Sequence, residues 1–160
     1  MKPGETYTGK ASWFGGPQDR GVAWTEGLAL FEEPDVAANQ ELFLGREDVF
    51  AVTPEKDRGR IETLGLARRL NPDALYCAMR WDYEITPRAM LRAALVECWP
   101  TVKSSWRTVL RPVDWGPNIR TGRLIDVSFG ALQAMGIMTD DVVACRLVVP
   151  DDARAWSISG

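Results

Sequence analysis

Apolar residues along this chain fall mostly into short runs broken by Gly, Pro, Asn and Asp, a spacing that suits strands and turns better than long helices. "YTGKASWF" alternates as a strand does, with Tyr7, Ala11 and Trp13 on its apolar side and Gly15, Gly16 and Pro17 to end it. "GVAWTEGLALF" predicts a second strand-like pass, broken at Gly27. "ALYCAMRWDYEI", "LVECW", "WRTVLRPV" and "DVVACRLVVP" are strand-like by their apolar and aromatic content. Helical signals are few. "TPRAMLRAA" offers Thr86 as an N-cap with Pro87 in the first helical position. "DVSFGALQAMGI" offers Ser128 as a cap, Leu132 and Met135 as the inward face, and Gly136 as the stop.

The stretch from Glu32 to Asp73 is mixed and charged. "ELFL" and "DVFAV" predict strands there, and "RIETLGLARRL" a short helix stopped at Asn71 and Pro72. It is read as an insertion into one domain spanning residues 1–160, of about six or seven strands and two or three short helices. A mainly-β chain of this kind favours a small closed barrel, which leaves no open sheet edge.

Composition narrows the chemistry. At 160 residues and 46% hydrophobic the chain can bury a real core. Its net charge of -3, with basic residues scattered among acids, gives no footprint for a nucleic-acid partner. No apolar run is long enough to insert in a membrane, and the opening "MKPGETYTGKASWFGG" lacks the apolar stretch of a secretion signal. The expectation is a soluble chain that is not exported by itself.

There is no histidine, and Cys77, Cys98 and Cys145 are widely spaced in apolar contexts. They read as small buried hydrophobes. No metal site of the usual kind, no cofactor and no Ser-His or Cys-His dyad is expected. Acid-base chemistry would therefore rest on carboxylates.

The candidates lie in "VLRPVDWGPNIRTGRLIDVSFGALQAMGI", where Asp114 and Asp126 bound a run dense in turn formers and arginine. Each has a bland alternative: Asp114 capping the Gly116-Pro117 turn, and Asp126 bonding the amides of the following helix or pairing with Arg111, Arg120 or Arg123. Seven tryptophans are many for this length, and Trp13, Trp24, Trp81, Trp106 and Trp115 are candidates for flat sugar-stacking faces as well as for packing.

Several phrases occur in the order of one family. "GKASWFGG" resembles the G-x-A-S-W-Y-G opening of the rare lipoprotein A-like domain, and "TEGLALFE" stands where that family has a Thr, Gly and acidic cluster. "RPVDWGPNIRTGRLIDVSFGALQAMGI" resembles its closing D-R-G-P, G-R-I-I-D-L-S and small-helix segment. The resemblance covers Gly9 to Phe31 and Ala74 to Val149. It implies a six-stranded double-psi β-barrel, a fold shared with expansins, family-45 endoglucanases and A-type lytic transglycosylases.

It also implies a polysaccharide partner, above all peptidoglycan glycan strands, held in a groove. Asp126 then stands at the general-acid position, Asp114 lines the same groove, and Glu26 is a third acidic candidate. Trp115 and Trp13 lie inside the matched motifs as stacking surfaces, and Arg123 and Asn118 complete the expected substrate contacts.

Two departures stand out. The family's A-A-H histidine is missing, with Met79 or Arg80 near its place, and Trp115 replaces the usual Arg after the first Asp. Two functions stay open: cleavage of glycan strands by a lytic transglycosylase-like or muramidase-like route, or a non-catalytic wall-binding or phage or tail-particle module on the same barrel. Without an export signal, a wall-directed role needs lysis, delivery on such a particle, or a leader removed from the chain.

Overall fold

The computed structural model describes residues 1–17, 22–23, 40–44, 49–51 and 66–150. Its main body is a closed barrel of six strands: β1 (Thr6–Trp13), β5 (Tyr76–Met79), β6 (Leu95–Pro100), β7 (Thr108–Trp115), β8 (Arg123–Val127) and β9 (Val142–Val148). Around the wall the order is β1, β8, β5, β7, β6, β9. β1 runs parallel to β8, and β5 parallel to β7, while the other four junctions are antiparallel. This is a mixed barrel, compatible with the double-psi topology. Three short strands, β2 (Val22–Ala23), β3 (Val49–Ala51) and β4 (Leu66–Arg68), form a separate sheet in the order β2, β4, β3.

Strand alternation fills the barrel. Ala11, Cys77, Val96, Cys98, Leu110, Ile125, Val127, Val143, Cys145 and Leu147 are all fully buried in one cluster. Cross-strand partners such as Val96 with Leu147, Cys77 with Val127 and Cys98 with Cys145 share the inward face. The three cysteines are thus packed side chains, with the Cys98 and Cys145 sulfurs 3.5 Å apart. Burial pushes the Cys77 thiol well up, the opposite of a poised nucleophile. A second, smaller cluster of Leu42, Phe43, Leu70, Tyr76 and Val113 packs with Phe14 and Ala74.

Two short helices accompany the strands among the described residues. α1 (Arg88–Ala93) buries Met90 and Leu91. Its start differs from the expectation: Pro87 takes the N-cap position without a side-chain bond, and the Thr86 hydroxyl donates back to Asp82 O at 3.2 Å. A hydroxyl that can close a local turn is drawn away from capping. α2 (Phe129–Ala134) follows the expectation, with Ser128 Oγ accepting from Ala131 N at 3.1 Å and Gly136 left-handed at φ 62. Ser128 is buried, so Ser128→Ala is expected to cost about 1 kcal/mol, read as a lower urea midpoint at unchanged slope.

Two readings between Glu32 and Asp73 are corrected. Leu66–Arg68, taken from sequence as part of a helix, is a strand held by pairing with β2 and β3, contacts that local periodicity does not report. "ELFL", Glu41 to Leu44, is not a strand: its first two residues close the 3₁₀ turn Gln40–Leu42, and Phe43 makes an isolated bridge to Leu70. No helix among the described residues is long and apolar enough to cross a membrane.

Candidate functional site

The register of four neighbouring strands brings the two aspartates onto one line. Ser12 of β1 pairs with Asp126 of β8, Asp126 with Ala78 of β5, and Ala78 with Asp114 of β7. Directly paired residues share a face, so Ser12, Asp126, Ala78 and Asp114 form a row on the outer side of the wall. Ile125 and Val127, on either side of Asp126, point into the core. The backbones of the two aspartates stand two strand spacings apart, roughly 9.5 Å.

Asp126 is the unusual member. Its Oδ1 is buried and has no hydrogen-bond partner. Burial pushes its pKa up to about 6, against the opposing pull of the Arg123 and Arg80 charges. The capping role of the helix start falls instead to Ser128, and Arg123 is engaged by Asp140 at 2.8 Å. Both bland alternatives that involve those partners are thereby filled by other residues.

Asp114 is held by its own turn and by two tryptophans. Its Oδ1 accepts from Trp115 N at 2.7 Å, while its backbone oxygen accepts from Trp81 Nε1 at 2.9 Å. Trp115 Nε1 donates in return to Trp81 O at 3.0 Å. Trp81 is buried, but Trp115 remains 46% exposed, so this indole is both oriented and open to a ligand. Tyr83 lies close enough for the Asp114 charge to act on it; burial raises its hydroxyl pKa, and Arg88, 4.8 Å over its ring, opposes that.

Trp13 sits one step from the row on β1, opposite Val127. It is 45% exposed and meets Phe129 edge-on at 5.3 Å. Trp115 is one step to the other side of the row on β7, opposite Met79. Val127 and Met79 face the core, so strand alternation turns both indoles to the side opposite the row, where the ends of β1 and β7 leave them exposed. Trp106 is elsewhere, stacked under Lys103 at 3.8 Å and against Gly136.

The remaining candidates take structural positions or lie out of view. Asn118 caps the 3₁₀ turn Ile119–Thr121, accepting from Arg120 N at 2.9 Å. Arg123 forms the ion pair with Asp140. Glu26 and Trp24 lie outside the described residues. Among the described residues no three His, Cys, Asp or Glu side chains converge as metal ligands would.

Met79 and Arg80, the two residues that the resemblance sets near the family's histidine, differ in their surroundings. Met79 is buried in the barrel core. Arg80 is the one beside Asp126, and its Nη1 donates to Pro117 O at 2.9 Å and to Arg123 O at 2.7 Å. No family model matches the chain, and no curated protein matches it significantly.

Proposed function

We propose that this protein is a rare lipoprotein A-like, glycan-strand-cleaving enzyme acting on peptidoglycan, with Asp126 as general acid-base and Asp114 as its electrostatic partner. The observation that carries the reading is the buried, unpartnered Oδ1 of Asp126, whose pKa of about 6 keeps a useful share of the carboxyl protonated near neutrality. The protonated carboxyl gives its proton to the bridging glycosidic oxygen as the bond to the sugar's C1 breaks. The carboxylate then takes a proton from the attacking hydroxyl. If that hydroxyl is the muramyl sugar's own, a 1,6-anhydro end forms; if it is water, a reducing end forms.

A transglycosylase route needs only this one acid-base, whereas a retaining hydrolase needs a second carboxyl about 5 Å away. Trp115 and Trp13 supply exposed aromatic surface at the ends of β7 and β1. Digestion of purified peptidoglycan tests the reading, with anhydro ends or new reducing ends as the expected products. Protein that sediments with peptidoglycan but frees no soluble fragments between pH 4 and 8 sinks it.

That outcome would leave the second reading, a non-catalytic wall-binding or particle-assembly module. The observation favouring it is the lack of any histidine, with Met79 or Arg80 near the place where the proposed family carries one. Either way Trp115→Ala is expected to weaken co-sedimentation about tenfold, while the loss of its bond to Trp81 O costs only about 1 kcal/mol of stability. A much larger stability loss would mark Trp115 as packing.

A further inference from the structure

Arg80 leaves the end of β5 two residues beyond Ala78, and backbone carbonyls hold its guanidinium in place of an acid. One carbonyl, of Pro117, belongs to the turn after β7; the other, of Arg123, opens β8. A single side chain thus ties the strand of Asp114 to the strand of Asp126. Both bonds use Nη1, so the Nε and Nη2 donors are not spent on them.

The anchoring matters because an arginine free to swing would close on Asp126, neutralise it and depress its pKa. Instead Arg80 acts on Asp126 through its charge, and Oδ1 stays without a hydrogen bond. The other charges around the carboxyl are Arg123 on β8, already paired with Asp140, and Asp114 across Ala78 on β7. β1 presents the Ser12 hydroxyl opposite it, with Lys10 farther along near Asp140.

We infer that Arg80 is the positioning residue of this site: anchored to both flanking strands, it fixes a cation beside Asp126 and leaves between them a donor and an acceptor for one hydroxyl of a bound saccharide. A hydroxyl fits because it accepts from the guanidinium and donates to the carboxylate at once. The inference rests on the reading of Asp126 as the reactive carboxyl. It gives a residue near the place of the missing histidine a role in holding sugar, with proton transfer left to Asp126.

The test follows the Asp126 carboxyl by carbon NMR through a pH titration, alongside peptidoglycan co-sedimentation. Arg80→Gln keeps an amide donor for the carbonyls but removes the charge, and the Asp126 midpoint should rise by about one pH unit. Arg80→Lys should return the midpoint to the wild-type value or below it, yet retain glycan at least tenfold less well, because an ammonium lacks the planar fork. An unchanged midpoint in Arg80→Gln, or full glycan retention in Arg80→Lys, overturns the inference. Should the Gln variant not fold, the Lys variant decides through the same two readings. Wild-type protein that retains no glycan defeats the saccharide reading of the site itself, and the titration still decides whether Arg80 governs Asp126.

Discussion

Gly15→Ala is expected to lose on the order of 3 kcal/mol or more of stability. Gly15 is buried just after β1 with φ +90, where a side chain is strained by about 1–2 kcal/mol. A Cβ there would overlap the Tyr76 hydroxyl and stand 2.9 Å from its Cζ and 3.3 Å from Leu70 Cβ. Tyr76 has nowhere to go: it is fully buried, and its hydroxyl donates to Phe14 O at 2.7 Å. Displacing it breaks that bond inside the small cluster and adds a penalty of about 1–3 kcal/mol. In urea the midpoint should fall by about 1–2 M at an ordinary slope. Tyr76→Phe in the same background removes the colliding oxygen and should restore part of the loss, a coupling that a double-mutant cycle reads directly. A shift under about 0.3 M for Gly15→Ala alone would show that the cluster yields where it is argued to be rigid.

What was legible in the sequence was what neighbouring residues decide among themselves. The start and end of α2 could be read from Ser128 and Gly136 because capping and the left-handed stop are local events. β1, β6, β7 and β9 could be read from apolar runs and alternation. The start of α1 was misread because Asp82, four residues back, competes for the Thr86 hydroxyl. Leu66–Arg68 was misread because its strand exists only through β2 and β3.

The site divides in the same way. Asp114 and Asp126 stood out in one short segment, yet their relation depends on Ala78, which belongs to a strand far earlier in the chain and lies between theirs. No spacing rule reports that register. Arg123 looked available until Asp140, seventeen residues on, was found to hold it. Arg80 was visible only as a departure from a motif; the two carbonyls that give it a place come from a turn and a strand start that sequence does not put beside it.

Asp126→Asn is expected to make the protein more stable and, under the proposed function, far less active. The folded carboxyl has its pKa raised from 3.8 to about 6, chiefly by burial. Between those values the native state binds more protons than the unfolded chain. The stability that protonation contributes is therefore fully present below about pH 3.8 and is lost as pH rises through about 6. The whole shift corresponds to about 3 kcal/mol, and partial exposure of the side chain reduces this to about 1–2 kcal/mol. The amide carries no charge to desolvate, so at pH 7.5 the variant should exceed wild type by that amount, and the two should converge below pH 4. Cleavage should move the other way, falling by on the order of a hundredfold or more because the amide has no proton to give. Glycan binding should survive in both. Opposite signs in the two measurements are what separates a carboxyl kept buried for chemistry from one kept for structure, since a structural aspartate would lower stability when replaced. A variant less stable than wild type at pH 7.5 would place Asp126 in the second class and remove the acid-base from the proposed mechanism.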